Sequence, residues 1–274
     1  MNEQRHLIRG PRWQAATGAT LDLQPSGLLM TATLCPPTSA VARSDPTARL
    51  NDYLDALRFY LDLPDETINR ILFVENSAGD LAPLIDLART HSHGKTVEFI
   101  GFNGNDHPPE LGKAYGEFKL IDHGLANTTL FAANDTVWKT TGRLKFLNLP
   151  AMVRALGSRP ADFVCDLHNL PWVGSRDPSA RKHMELRVFA FRPAAYDAVM
   201  RGLWRRQSTP LDAADLYHVM IAARGTFKVR PRFPIQPQLQ GISGRHGRDY
   251  QSPSQRAKDG ARAICRRFMP ALWL

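Results

Sequence analysis

The 274-residue chain is poor in the features that mark several protein classes. No apolar run approaches the roughly 20 residues needed to cross a bilayer, so no spanning helix is expected. The N-terminal MNEQRHLIRGPRW carries charges without an apolar h-region and does not read as a signal peptide. The three cysteines, Cys35, Cys165 and Cys265, lie far apart with no CxxC spacing. They read as reduced, mostly buried thiols of a cytosolic protein, neither a disulfide frame nor a zinc site. No GxGxxG follows the first strand pattern, which argues against a dinucleotide fold. HGKT at 93–96 has Arg89 where a phosphate loop needs glycine, and its strand follows rather than precedes it. His91 and His93 lack further ligands at clear spacing and read as solvated.

What is present is an ordinary globular balance, 43% hydrophobic and 22% charged, with a net charge of +9. That surplus calls for an anionic partner: nucleic acid, a phosphorylated small molecule or a membrane surface. Buried-strand patterns at 28–34, RILFVEN, TVEFIGFN and TVWKTT alternate with helical patterns over the first 170 residues. The helical stripes include Leu50, Tyr53, Leu54, Leu57, Tyr60 and Leu61. Later come LPAMVRAL as a helix, ADFVCDL and MELRVFAF as strands, and two further helices. Apolar strands alternating with helices predict an open, mostly parallel α/β sheet. The expected organisation is a flexible arm over 1–26, an α/β region over 27–192, helices and a loop over 193–252, and a basic amphipathic segment over 253–274.

Open sheets bind ligands at the carboxyl ends of their strands. The polar residues there are Glu75 and Asn76 in ENSAGD, Asn103 in GFNGND, and Lys139 and Arg143 in KTTGR. Glu75, Asn76 and Asn103 suit a base or ribose; helix capping is the competing reading for the ENSAGD turn. Arginine's planar fork suits phosphate. GKAYGEFKLIDHGL predicts a helix with Lys113 in its first turn, where the dipole already favours an anion. Gly112 and Gly116 weaken that helix unless a ligand or another helix approaches closely. Glu117, four residues after Lys113, can pair with it or hold a sugar hydroxyl. Tyr115 lies on the stripe that faces the core.

Together ILFVENSAGDL, GKAYGEFKLIDHGL, WKTTGRLKFLNL and GISGRHGRDY resemble bacterial glycosyltransferases of surface-polysaccharide clusters, for lipopolysaccharide O-antigen or capsule. In that family the stretches run roughly as ENSG, GKGYGE, K-I-TGRY and D-x-R-F. The resemblance covers about residues 28–192 and, more weakly, the rest. It implies a GT-A-like fold and transfer of a sugar from a nucleotide-sugar donor to a glycan or lipid-linked acceptor. It also implies that 27–192 binds the nucleotide sugar, contacting it through Glu75, Asn76, Asn103, Gly112, Tyr115 and Gly116. Where most GT-A enzymes carry a metal-binding D-x-D, this chain has Lys139-Thr140-Thr141-Gly142-Arg143. The expectation is therefore no cofactor and no metal, with Lys113, Lys139, Arg143 and Arg187 holding the donor diphosphate. In place of D-x-R-F stands Glu185-Leu186-Arg187-Val188.

If the reaction inverts, a carboxylate must deprotonate the acceptor hydroxyl. Glu185 ranks first, Asp166 second and Glu117 third; Asp166 and His168 are alternatively metal ligands or a plain turn. In the tail, Ala257, Ala261, Ile264 and Phe268 form one stripe among Arg256, Lys258, Arg262, Arg266 and Arg267. This suits an anionic membrane surface, with Trp273 as an anchor and a cytoplasmic, peripheral location on the inner membrane; a helix docked on the domain competes with it. A nucleic-acid-binding module and a non-catalytic homologue of the family are the competing functions. No RRM, KH or helix-turn-helix signature supports the former.

Overall fold

The computed structural model describes residues 3–10, 26–36, 41–106, 111–157, 161–169, 182–206, 213–244, 247–269 and 273. The chain builds an α/β sheet with helices on both faces. Its first strands and helices are β1 (Gln4–Ile8), β2 (Ser26–Ala32), α1 (Pro46–Leu61), β3 (Ile68–Glu75), α2 (Ala82–His91), β4 (Thr96–Gly101), α3 (Gly112–Asn127) and β5 (Val137–Thr141). Then follow β6 (Lys145–Phe146), α4 (Leu149–Leu156), β7 (Phe163–Val164), β8 (Leu167–Asn169), β9 (Lys182–Met184) and β10 (Val188–Phe191). The rest is α5 (Pro193–Val199), a 3-10 turn at Leu203–Arg206, α6 (Ala213–Ala223), β11 (Val229–Arg230), β12 (Leu239–Gln240) and α7 (Pro253–Phe268).

The main sheet has eight strands in the order β1-β4-β3-β2-β5-β10-β7-β11. The run β4-β3-β2-β5 is parallel, and β1 and β10 add antiparallel to its two sides. Every residue of β2 is buried, as a strand covered on both faces requires. Alternate residues feed two cores: Leu28, Met30, Phe73 and Trp138 face α1 and α2, whereas Leu29, Leu72, Val74 and Val137 face α3, α5 and α6. The mostly parallel α/β sheet expected from sequence is therefore present.

Four expectations differ from the structure. The segment 1–26 is not wholly a loose arm, because Gln4–Ile8 pairs antiparallel with β4. An edge strand with exposed residues carries no buried stripe in its sequence. MELRVFAF is not one strand: it breaks at Glu185–Arg187 between β9 and β10. Cys35 is exposed, although Cys165 is buried. The region 193–252 is also joined to what precedes it, since β11 pairs with β7 in the same sheet. Among the described residues no helix is long and apolar enough to cross a membrane.

Candidate functional site

The chain moves from β2 outward to β3 and β4, then crosses back to lay β5 on the other side of β2. Open sheets take ligands at such a reversal, beyond the carboxyl ends of the strands. Gly142 lets the two strand ends close up. Its N–H donates to the Thr31 carbonyl at 2.8 Å. A Cβ there would lie 2.8 Å from that same oxygen, so a larger residue forces the strand ends apart.

At this strand end lies a charge pair buried on its lysine side. Lys139 Nζ contacts the Glu117 carboxylate and donates to the Leu186 carbonyl at 2.7 Å. The Thr31 hydroxyl donates to Glu117 Oε1 at 2.7 Å. Lys139 is 0% exposed, whereas the Glu117 side chain is 26% exposed. The lysine expected on a phosphate is thus spent inside the protein, where it fixes the glutamate. Burial of an unmatched ammonium costs several kcal/mol, which is the physical reason for the pairing. Arg143 stands at the end of β5, and its guanidinium donates to the Ile242 carbonyl. Burial lowers its pKa. That bond uses one of the fork's five donors.

The segment from Gly241 to Tyr250 lies over this edge. Tyr250 donates its N–H to Gly241 O at 3.1 Å, and its ring lies 4.8 Å from the Arg187 guanidinium. A Cβ on Gly244 would meet Arg143 Nη2 at 2.7 Å. Residues 245 and 246 of GISGRHGRDY lie outside the described residues.

Glu75 is 0% exposed and is spoken for. It accepts from the N–H groups of Leu34 at 2.9 Å, Ser77 at 2.9 Å and Gly79 at 3.0 Å, and from the Ser77 hydroxyl. This carboxylate pins its own turn, in which Ala78 takes the left-handed φ of 52°. A nucleotide contact through Glu75 is corrected accordingly. Asn76 is buried and accepts the Thr33 hydroxyl at 2.7 Å. Asn103 is exposed at the end of β4, bridged to Ser77. Gly112 and Lys113 open α3, and the lysine's side chain lies outside the described residues. Tyr115 packs edge-on against Trp204, centroids 5.3 Å apart, and Gly116 is buried in α3. At Gly124 of the same helix a Cβ would lie 2.6 Å from Val74, so α3 lies close against β3 there.

Beyond β10 lies a second charged group at the same sheet edge. Glu185 forms a two-pronged pair with Arg187, with Nε to Oε1 at 2.7 Å. Its Oε1 also accepts the Arg187 N–H at 2.8 Å. Burial raises the Glu185 pKa, but the Arg187 charge and these hydrogen bonds outweigh it and hold the group at about 2. A carboxylate so acidic accepts a proton poorly, so Glu185 loses its first rank as base. Asp166 is also committed: Arg232 Nε donates to Oδ1 at 3.0 Å, and Arg266 Nη2 to Oδ2 at 2.8 Å. Of the three ranked carboxylates, Glu117 has the most exposed side chain and borders the strand-order reversal. Among the described residues, no group of three or more His, Cys, Asp or Glu is placed to hold a metal ion.

The sequence missed Arg232, Arg266, His183 and Tyr250 as neighbours of this edge. Arg266 belongs to α7, 100 positions from its partner Asp166. Trp273 is not free to anchor elsewhere: its carbonyl accepts the Asn169 N–H at 2.7 Å, and its ring lies 6.3 Å from Tyr217.

No protein-family model and no curated protein match the sequence. Among solved structures, the chain is similar to a 4-diphosphocytidyl-2C-methyl-D-erythritol synthase at 12% identity and TM-score 0.43, covering 86% of this chain and 97% of that one. It is similar to the galactosyltransferase LgtC, solved with donor and acceptor sugar analogues, at 12% identity and TM-score 0.40, covering 74% and 72%. A third similarity is to the bifunctional glycosyltransferase WbbM at 10% identity and TM-score 0.41, covering 78% and 40%.

Proposed function

We propose that the chain is a glycosyltransferase that moves a sugar from a nucleotide-sugar donor to a glycan or lipid-linked acceptor of a bacterial surface polysaccharide. One observation carries this reading: where the strand order reverses, the paired ends of β2 and β5 have the Lys139-fixed Glu117 on one side and Arg143 on the other. It coincides with two of the stretches that resemble the family. In this reading Arg143 meets the charge that develops on the leaving diphosphate, without metal, and Lys113 adds a second cation. Glu117 orients the transferred sugar or takes the acceptor proton. Arg187 contributes less, because Glu185 already neutralises it. The protein works in the cytoplasm against the inner membrane, with the basic outer face of α7 on anionic lipid.

A nucleic-acid module is the weaker alternative. Arg43, Arg70, Arg187, Arg232 and Arg266 are each turned to a carboxylate of the protein, which removes them from any phosphate-binding stripe. The test is donor turnover across a panel of nucleotide sugars, wild type against Arg143→Ala. Loss of one such donor costs about 10²–10³ in kcat. Unchanged turnover by a folded variant removes the phosphate role of Arg143, and no turnover of any donor by the wild type removes the transferase reading.

A further inference from the structure

A cavity of ≈70 Å³ opens between α7 and the ribbon formed by β8 and β9. A water needs about 10–15 Å³ on this measure, so the space admits several hydroxyl-sized groups. On the ribbon, His168 and His183 are cross-strand partners whose rings stack 4.5 Å apart at 4°. Glu185 and Arg187 line the cavity from the sheet, and Asp259 and Arg262 from α7.

The charges on these walls are already matched. Glu185 is held by Arg187, and Asp259 by Arg262 at 3.3 Å and by Gln255 Nε2 at 3.1 Å. Asp166, also on the wall, is held by Arg232 and Arg266. Three carboxylates thus meet four guanidiniums, each of them already turned to a carboxylate, so a diphosphate entering here would have to displace an internal ion pair. What the walls offer instead is hydrogen bonding: planar carboxylates, guanidinium edges, imidazoles and the Gln236 and Gln255 amides, with the Tyr250 ring beside them. His168 is 5% exposed, and its Nδ1 is buried with no hydrogen-bond partner among the described residues. A buried polar atom left unbonded costs about 1–3 kcal/mol, so the fold keeps this imidazole on the cavity wall against a local penalty. Burial also lowers the pKa of both imidazoles, His168 to about 4, so each is neutral near pH 7 with one donor and one acceptor.

We propose that this cavity is a binding site for a neutral, polyhydroxylated ring, the sugar of the acceptor, whose hydroxyls bond to His168 and His183. The word acceptor rests on the transferase reading; the sugar site itself does not. Its position fits the role. The Thr141 N–H donates to Arg187 O at 3.0 Å, so one wall of the cavity is hydrogen-bonded to the end of β5, beside the strand-order reversal.

The test is titration of the full chain, labelled at the histidine imidazoles, with neutral methyl hexopyranosides and separately with pyrophosphate, followed by NMR. Saturable shifts at His168 and His183 with at least one glycoside, absent with pyrophosphate and weakened in Gln255→Leu, are the expected result. Shifts with pyrophosphate instead, or none with any glycoside, overturn the proposal. In turnover assays His183→Asn should raise the acceptor KM about tenfold, the loss of one hydrogen bond, with the donor KM unchanged. An unchanged acceptor KM in a turning-over enzyme removes the site and leaves the transferase reading. Glycoside binding by a protein that turns over no donor does the reverse.

Discussion

Replacing His168 by glutamine should flatten the fall of stability between neutral and mildly acid pH. In the folded chain burial depresses this imidazole from 6.5 to about 4, with Asp166 opposing and His183 and Arg262 reinforcing the effect. Near pH 7 the folded chain is neutral at this site and the unfolded chain about three-quarters so, and it contributes little. As pH drops through 6.5 the unfolded chain takes up a proton that the folded chain refuses until about 4. Stability is therefore lost over that window. At about pH 5 the unfolded state holds about 0.9 more proton, and the loss since about pH 7 integrates to about 2 kcal/mol. Below the folded value it tends towards about 3 kcal/mol. That is a large share of a typical 5–15 kcal/mol. Glu185 acts in a separate window: its pKa, lowered from 4.5 to about 2, gives stability that is present above 4.5 and lost as pH falls towards 2. The assay is urea unfolding followed by tryptophan fluorescence at stepped pH. Wild type should lose about 2 kcal/mol more than His168→Gln between about pH 7 and pH 5. His183 titrates in both proteins and largely cancels in the difference. Parallel curves would refute the claim that the fold holds His168 neutral.

Lys139→Met strands Glu117 beside the Thr31 hydroxyl. It should destabilise by about 2–3 kcal/mol, less than for a wholly buried pair because the glutamate is partly exposed; adding Glu117→Gln should recover part of the loss, and an unchanged melting temperature contradicts the pairing. Donor turnover should persist in EDTA; activity that vanishes and returns with manganese ends the metal-independent reading. Ile264 and Phe268 are 59% and 75% exposed on α7. Changing both to glutamate should leave stability within about 0.5 kcal/mol and sharply reduce co-sedimentation with anionic vesicles, and equal sedimentation rules α7 out as the contact.

The parts of the fold that could be read in advance are those whose burial is written into one short window. SGLLMTA and INRILFVE are apolar because both faces of a parallel strand are covered, and α1 shows its stripe because one side meets the sheet. QRHLI lies on the edge with exposed residues and carries no such mark. MELRVFAF looks continuous, yet the Glu185 carboxylate accepts the Arg187 N–H two residues on, where the pairing ends, a local choice that composition does not encode.

The site was legible in place but not in role. That Glu75, Asn103 and Arg143 stand at strand ends follows from strand order. Whether a strand-end carboxylate faces a ligand or its own turn depends on where three amides point, and in Glu75 they point inward. Lys139 held a clue that period-two geometry gives: it shares a strand face with Val137, opposite Trp138, and so lies under α3 and Glu117 rather than in solvent. The pairing of Asp166 with Arg266 held none, since nothing links positions so distant in one sequence. These pairings also relocate the meaning of the +9 charge. An internal ion pair subtracts one charge of each sign and leaves the surplus untouched. The excess must therefore sit on cations outside such pairs, and α7 supplies Arg256, Lys258 and Arg267 on the exposed side whose opposite face is latched to Asp166 by Arg266. A single helix thus couples the candidate acceptor cavity to the surface best suited to meet anionic lipid.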